Sequence, residues 1–273
     1  MKKTKKDLDL IVNFVFRGKK ISLQGFSAND WIYKSIFKKN CFYEIDLLNY
    51  VRFILKGKEG VIIDIGANIG NHSVFFGSFI SSGVICFEPN PNVIPILKRN
   101  LFENKINHML FELGLGDKPG YANVEIPVGH ENNIGAAKLL ASNTASNISI
   151  STLDILLPQI EDFLQGKNIL AIKIDVEGME PNVLKGGIGL INAYRPELFI
   201  EVADEKQMHR IEPILKQLGY YKIVSYAATP VWHFSHHSKS STLNKLLILP
   251  YILKDKLKKR LISYARRLIG SLK

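Results

Sequence analysis

Cysteine is almost missing from this sequence: Cys41 and Cys86 are the only two in 273 residues, and they lie in unrelated segments. A disulfide scaffold and a cysteine-rich metal cluster are both excluded, and the usage suits a reducing compartment. Long apolar runs are missing too. The longest near the C-terminus, Leu246 to Leu253, is interrupted by Pro250 and falls far short of the ~20 residues a helical span needs. Asp7 and Asp9 break the stretch in which a secretory signal would need its apolar segment, so a cytoplasmic chain is expected. An acidic excess is also lacking: 36 Lys/Arg stand against 25 Asp/Glu, a net charge of +11. That charge sits at the ends. Residues 1–20 carry seven cations and two acids, and residues 239–273 carry ten and one, which leaves the stretch between them at −3. An enzyme acting on nucleic acid would line its working face with cations, so a nucleic-acid partner is not expected.

What is present reads as an α/β chain with 46% hydrophobic residues, enough for a sizeable core. Leu8 to Gly25 alternates around Arg17-Gly18-Lys19-Lys20 and predicts a β-hairpin. Residues 27–38 and 44–56 have helical spacing. Strands at 61–65, 84–87, 108–113, 169–174 and 197–202 then alternate with helices at 71–80, 91–103, 153–164, 180–193 and 205–218, which calls for a doubly wound parallel sheet. Segments near 121–126 and 147–151 read as strands flanking a polar stretch, His130 to Ser146. A pair of strands, 220–225 and 230–234, closes the pattern. The expected organisation is an N-terminal hairpin and helix (1–41), a main domain (42–238) and a basic tail (239–273). Within the polar stretch, Asn132 to Ala136 is a candidate flap over a ligand.

The densest chemical signal is Val61-Ile-Ile-Asp-Ile-Gly-Ala-Asn-Ile-Gly70. An apolar strand ends near Asp64, and Gly66, Asn68 and Gly70 lead into a helix. Glycines let a ligand approach the backbone, and a helix N-terminus offers free N–H groups. A second strand ends in Glu88, 18 residues after Gly70, where an acid can accept both hydroxyls of an adenosyl ribose. The dinucleotide fingerprint needs G-x-G-x-x-G, and here asparagine replaces its second glycine. The glycine that admits a pyrophosphate is therefore missing. S-adenosylmethionine has no pyrophosphate, and its carboxylate, ammonium and ribose suit backbone N–H groups and acids.

Six blocks occur in order: Asp64 to His72, Phe87-Glu-Pro-Asn-Pro91, Thr152-Leu-Asp154, Ile172-Lys-Ile-Asp-Val-Glu-Gly-Met-Glu180, Val183-Leu-Lys-Gly186 and Pro196 to Glu201. Together they resemble the FkbM-type methyltransferases over roughly residues 42–235. The resemblance implies a Rossmann-like class I methyltransferase sheet and S-adenosyl-L-methionine as cofactor. It also implies methyl transfer to a hydroxyl, often on a sugar, without naming the acceptor. A glycan or glycolipid, lipid-linked or free, is the expected partner. The other readings are an NAD-dependent oxidoreductase, opposed by the broken glycine pattern, and a non-catalytic, membrane-associated binder of adenosyl ligands. Neither cysteine stands beside a proline as a cytosine C5 methyltransferase requires. Asp175-Val-Glu-Gly stands where an amino-methylating enzyme carries Asn/Asp-Pro-Pro-aromatic.

The candidate cofactor-binding set is Asp64, Gly66, Asn68, Gly70, Glu88 and Asp117. Asp117, in Gly116-Asp117-Lys118-Pro119, reads first as a turn former, with contact to the adenine as the minority reading. For catalysis an alcohol must lose its proton as its oxygen attacks the methyl group, so a nearby base is sought. Asp175 lies where the fold places the transfer centre, as base or as ligand of the acceptor hydroxyl. Glu177 and His72 are further candidates, and Glu180 either joins them or begins the next helix. Lys173 pairs with one of these acids. His233, His236 and His237 read as surface or acceptor-pocket residues, and no metal ligand set is expected. From Leu257, apolar residues form one helical stripe among Lys and Arg. Residues 243–273 would then bind an anionic membrane surface, placing the protein peripherally on the inner face of the cell membrane, with docking on the chain's own core, an oligomer contact and attraction to nucleic acid as the alternatives.

Overall fold

The computed structural model describes residues 10–125, 138–142, 148–226 and 230–236. The proposed flap, Asn132 to Ala136, and the basic tail, 243–273, lie outside the described residues. The chain opens with a hairpin, β1 (Ile11–Phe16) and β2 (Lys19–Gln24), turned at Arg17 and Gly18, both with positive φ. Two helices follow, α1 (Trp31–Lys39) and α2 (Ile45–Ile54). Asp30 caps α1 by accepting a hydrogen bond from the Tyr33 N–H at 2.9 Å, and Asn40 ends it in a left-handed conformation.

Then come β3 (Val61–Ile65), α3 (Asn71–Phe79), β4 (Gly83–Phe87), α4 (Ile94–Glu103) and β5 (His108–Phe111). After these the chain runs through β6 (Gly114–Leu115), β7 (Gly120–Glu125), β8 (Lys138–Ser142) and β9 (Ile148–Ser151). It continues as α5 (Leu153–Leu164), β10 (Ile169–Ile174), α6 (Glu180–Lys185), α7 (Ile188–Tyr194), β11 (Glu197–Glu201), α8 (Glu205–Gln217), β12 (Tyr221–Tyr226) and β13 (Val231–Ser235). The main sheet has the order β12-β13-β11-β10-β3-β4-β5. It is parallel except for β13, which runs antiparallel to both its neighbours. The five strands expected to alternate with helices are parallel as read, and the closing pair of strands makes the sheet mixed. The short β12–β13 connection reverses direction, whereas parallel partners need a long crossover.

Period-two alternation divides the core. Ile62, Val84, Cys86, Ala171 and Phe199 face the hairpin and α2 to α4, while Ile63, Ile65, Ile85, Ile172, Ile174 and Leu198 face α5 to α8. Phe42 is fully buried and meets Phe14 and Phe75 edge-on at 5.1 and 5.2 Å, a burial that stabilises by about 2–3 kcal/mol. The free edge of β2 is covered by α4. Asn100 and Asn104, one turn apart, each exchange two hydrogen bonds with the backbone of Gln24 and Ser22 at 2.7–3.1 Å.

Two expectations are corrected. The helix expected over 180–193 breaks at Gly186-Gly187, two consecutive poor helix formers, and Gly186 is required where the chain passes so close to the Gly116 carbonyl that a Cβ would lie 2.0 Å from its oxygen. The polar stretch 130–146 contains β8, which pairs antiparallel with β7 from Tyr121↔Ser142 to Glu125↔Lys138. His233 is buried, not at the surface. Its Nδ1 lies 2.7 Å from the Tyr50 hydroxyl and its Nε2 3.0 Å from Glu197 Oε2. Among the described residues no helix is long and apolar enough to cross a membrane.

Candidate active site

Beyond Ile65 the chain turns through three positive φ angles, Gly66 at 75°, Asn68 at 51° and Gly70 at 84°. Gly66 admits no side chain, since a Cβ would stand 1.8 Å from the Asp175 carbonyl oxygen. The N–H groups of Gly66 and Ala67 both donate to the Phe87 carbonyl at 3.0 Å, fastening the loop to the end of β4. Asn68 tolerates the left-handed region better than most side chains. Its N–H donates to Glu88 Oε2 at 2.8 Å, and the Asn90 N–H donates to Oε1 at 2.9 Å. Burial pushes the Glu88 carboxyl up to about 7, against the lowering effect of those two bonds.

Strand register builds the second layer. Lys173 on β10 lies beside Asp64 on β3, so both side chains emerge on one face. The Lys173 ammonium stands 3.3 Å from Asp64 Oδ1 and 3.2 Å from Asp175 Oδ2, and it donates to the Gly66 carbonyl at 3.0 Å. Burial would lower its pKa, but Asp175 and Asp64 raise it above the ordinary value, so it stays charged. The other Asp64 oxygen accepts from Ser73 Oγ at 2.6 Å.

The third group is acidic. Asp175, Glu177 and Glu201 bring carboxylate oxygens within 4.8 Å of one another, a spacing a divalent cation could bridge. Lys173 already neutralises part of this charge. Burial would raise Asp175, yet Lys173, a hydrogen bond with Glu201 and His72 hold it below the usual range. Burial and the Asp175 charge raise Glu201 far above it, so Glu201 keeps a proton. Glu177 has φ 53°, and Gly178 follows at 105°, so the strand's alternation ends at Asp175. Glu180 is fully buried and pins this turn. Its Oε1 accepts from the N–H groups of Val176 and Gly178 at 3.2 and 3.1 Å, and Gln207 bonds its other oxygen.

Gly66, Asn68, Glu88, His72, Asp175 and Glu177 line one cleft that is open to solvent. Three expected ligands do not line it. Asp64 is fully buried, where it accepts from Ser73 and pairs with Lys173, the cation that bonds the glycine loop. Gly70 packs toward Leu97, where a Cβ would come within 2.7 Å. Asp117 is exposed in its turn, and it is Leu113, Gly114 and Leu115 from the preceding segment that line the cleft. Sequence reasoning missed Trp31, Tyr43 and Glu44, which also line the cleft. It gave Glu201 no role beyond its place at a strand end. Asn90 was within reach of that reasoning, since it sits in the Phe87-Glu-Pro-Asn block. Its buried Nδ2 has no protein partner and the residue lines the cleft, leaving a donor for a ligand.

A doubly wound sheet with its last strand reversed, carrying a glycine loop and a ribose-type acid at adjacent strand ends, defines a class I methyltransferase fold. The sequence profile of the methyltransferase FkbM domain matches residues 64–221, more than half of the chain, which therefore belongs to the FkbM methyltransferase family. Among solved structures, the chain resembles methyltransferase FkbM from Methylobacillus flagellatus KT at 18% identity and a TM-score of 0.44. That match covers 64% of this chain and 43% of the other, so this chain spans less than half of that relative. Precorrin-6y C5,15-methyltransferase from Geobacter metallireducens matches at 13% identity, covering 69% and 86% of the two chains, with a TM-score of 0.41. The Streptococcus mutans protein SMU.1697c, solved in complex with SAH, matches at 14% identity, covering 70% and 96%, with a TM-score of 0.42. No curated protein matches significantly.

Family membership implies S-adenosylmethionine as the methyl donor. The residues present fit it: Glu88 would take the ribose hydroxyls, and the Asn90 amide offers an unused donor. Phe87, Leu113 and Leu115 supply apolar walls for a base.

Proposed function

We propose that the protein is an S-adenosylmethionine-dependent O-methyltransferase whose acceptor is a sugar hydroxyl, in a glycan or glycolipid. The observation that carries this reading is the lining of the cleft, where Trp31 and Tyr43 are found together with Glu44, Asp175 and Glu177. Indole and phenol faces suit the apolar face of a sugar ring, and carboxylates accept from its hydroxyls. When bound, the cofactor supplies a methyl group on a positively charged sulfur. The chain's own residues then have three tasks. Glu88 and the glycine loop fix the nucleoside end. Asp175, held ionised by Lys173 at 3.2 Å, accepts a hydrogen bond from the acceptor hydroxyl and orients its oxygen. His72, which lines the same cleft, is the proton acceptor.

An oxidoreductase reading is weaker. The residue replacing the second dinucleotide glycine, Asn68, spends its N–H on Glu88 and keeps its side chain at the loop. The test is mass spectrometry of the host's glycans with and without the gene. The expected change is loss of one methyl unit from a sugar residue. Identical glycans, together with transfer of labelled methyl to a protein or a small non-sugar acceptor, would refute the acceptor class.

A further inference from the structure

Glu44 belongs to no motif and precedes the family-matched region by 20 residues. It occupies the N-cap position of α2 but makes no capping bond there, and its backbone is left-handed, with φ 54° and ψ 38°. That conformation is uncommon for a residue with a long side chain. The backbone is held there from outside. The Asn71 side chain accepts from the Tyr43 N–H at 3.0 Å and donates to the Tyr43 carbonyl at 3.1 Å, clamping the start of α2 onto the start of α3. The consequence is a close pair at the cleft: Glu44 Oε2 lies 3.3 Å from His72 Nε2, an ionic contact without hydrogen-bond geometry, with both side chains largely buried and both residues lining the cavity.

We propose that Glu44 is a positioning residue that holds the His72 imidazole as proton acceptor for the methyl transfer, so that the base of this site is a Glu44–His72 dyad. The proposal rests on the methyltransferase reading above. In the step, the acceptor oxygen forms its bond to the methyl carbon, and the carbon–sulfur bond breaks with its electron pair staying on sulfur. The hydroxyl proton passes to the imidazole, and the resulting imidazolium faces the Glu44 carboxylate. Asp175 is the poorer proton acceptor. Lys173 and Glu201 already satisfy its carboxylate and keep it below the usual carboxylate range, which suits it to orient a hydroxyl. The groups facing His72 oppose one another. The α3 N-terminus, where the ring sits in the first turn, and Lys173 beyond Asp175 disfavour its protonation, while Glu44 and Asp175 favour it. Without Glu44 that balance tips toward a weaker base.

The test is an NMR titration of the His72 imidazole in the 15N-labelled full-length chain, with calorimetry of S-adenosylhomocysteine binding alongside. Glu44→Gln should lower the His72 midpoint by about one pH unit, a tenfold change in its protonation constant. Glu44→Asp should recover part of that shift. Glu44→Asn suits the left-handed backbone better than glutamate, so it should keep its thermal midpoint or raise it while showing the same drop as Glu44→Gln. Affinity for S-adenosylhomocysteine should stay within about twofold in all three, because Glu44 takes no part in the hydrogen bonds that hold Glu88. A wild type that binds S-adenosylhomocysteine but whose His72 midpoint is indifferent to all three substitutions overturns the dyad alone. A wild type that binds none overturns the cofactor reading, and the dyad's role with it.

Discussion

Glu88 gives the cofactor site a pH dependence that can be worked from its surroundings. Its carboxyl is buried, accepts from two backbone N–H groups, and is pushed from an ordinary 4.5 up to about 7. Ribose hydroxyls donate hydrogen bonds, so the binding form is the carboxylate. With a midpoint near 7, roughly one molecule in eleven is ionised at pH 6 and ten in eleven at pH 8, so affinity for S-adenosylhomocysteine should rise about tenfold, or ~1.4 kcal/mol. Calorimetry at pH 6, 7 and 8 measures this directly. At pH 7 the apparent enthalpy should also vary with the buffer, because binding drives a proton off the carboxyl. Glu88→Gln should abolish the dependence and weaken binding at pH 8 by about 1–3 kcal/mol, since the amide cannot accept from both Asn68 and Asn90. The sign for the empty protein is opposite. A folded-state value above the unfolded one adds stability that is fully present below about 4.5 and is lost as pH rises through about 7. Affinity that stays flat from pH 6 to 8, or a Glu88→Gln variant that binds as well as wild type, would refute the reasoning.

Asp175→Asn keeps the side chain's size but removes the charge that orients the acceptor. Turnover should fall by about 10²-fold or more in a labelled-methyl assay with the native glycan, while S-adenosylhomocysteine affinity changes little. His233→Phe keeps the ring that stacks on Phe199 at 4.7 Å but strands the Tyr50 hydroxyl and removes a partner from Glu197, so denaturant unfolding should show a loss of about 2–3 kcal/mol. Burial alone would raise Glu197, yet His233, Ser235 and Lys58 bring it down to about 2. The stability it contributes is therefore present above about 4.5 and lost as pH falls toward 2, and His233→Phe should flatten that acid limb.

The main sheet was legible because each buried strand reads as an apolar run ended by glycine or an acid, and Val61 to Gly70 carries its turn chemistry locally. Local patterns cannot carry what depends on distant strands. Asp64 reads as a ligand beside a glycine loop. Parallel register instead sets it next to Lys173, where a buried ammonium needs its charge more than a ligand would. β8 went unread because Lys138 to Ser142 is short and lacks alternation, and it exists only through its pairing with β7. Glu44 reads as an ordinary helix start. Nothing near it in sequence announces that Asn71 fixes its backbone or that His72 faces its carboxylate.

The segments outside the family-matched region support one another, and this bears on where specificity resides. Residues 64–221 supply the glycine loop, Glu88, Lys173 and Asp175. Trp31, Tyr43 and Glu44 come from before that region, and Val231 in the cleft wall comes from after it. The two flanks meet through α2 and β13. Tyr50 bonds His233 at 2.7 Å, stacks on Tyr226 at 4.7 Å, and is tied through His233 to Glu197 on β11. A helix anchored at its middle by a buried hydrogen-bonded chain, and at its start by Asn71, holds Tyr43 and Glu44 at the cleft and against the sheet. Exchanging residues 26–44 for another segment would then alter which hydroxyl is reached while leaving the nucleoside end intact, because no residue of the glycine loop or of Glu88's hydrogen-bonded surroundings comes from there.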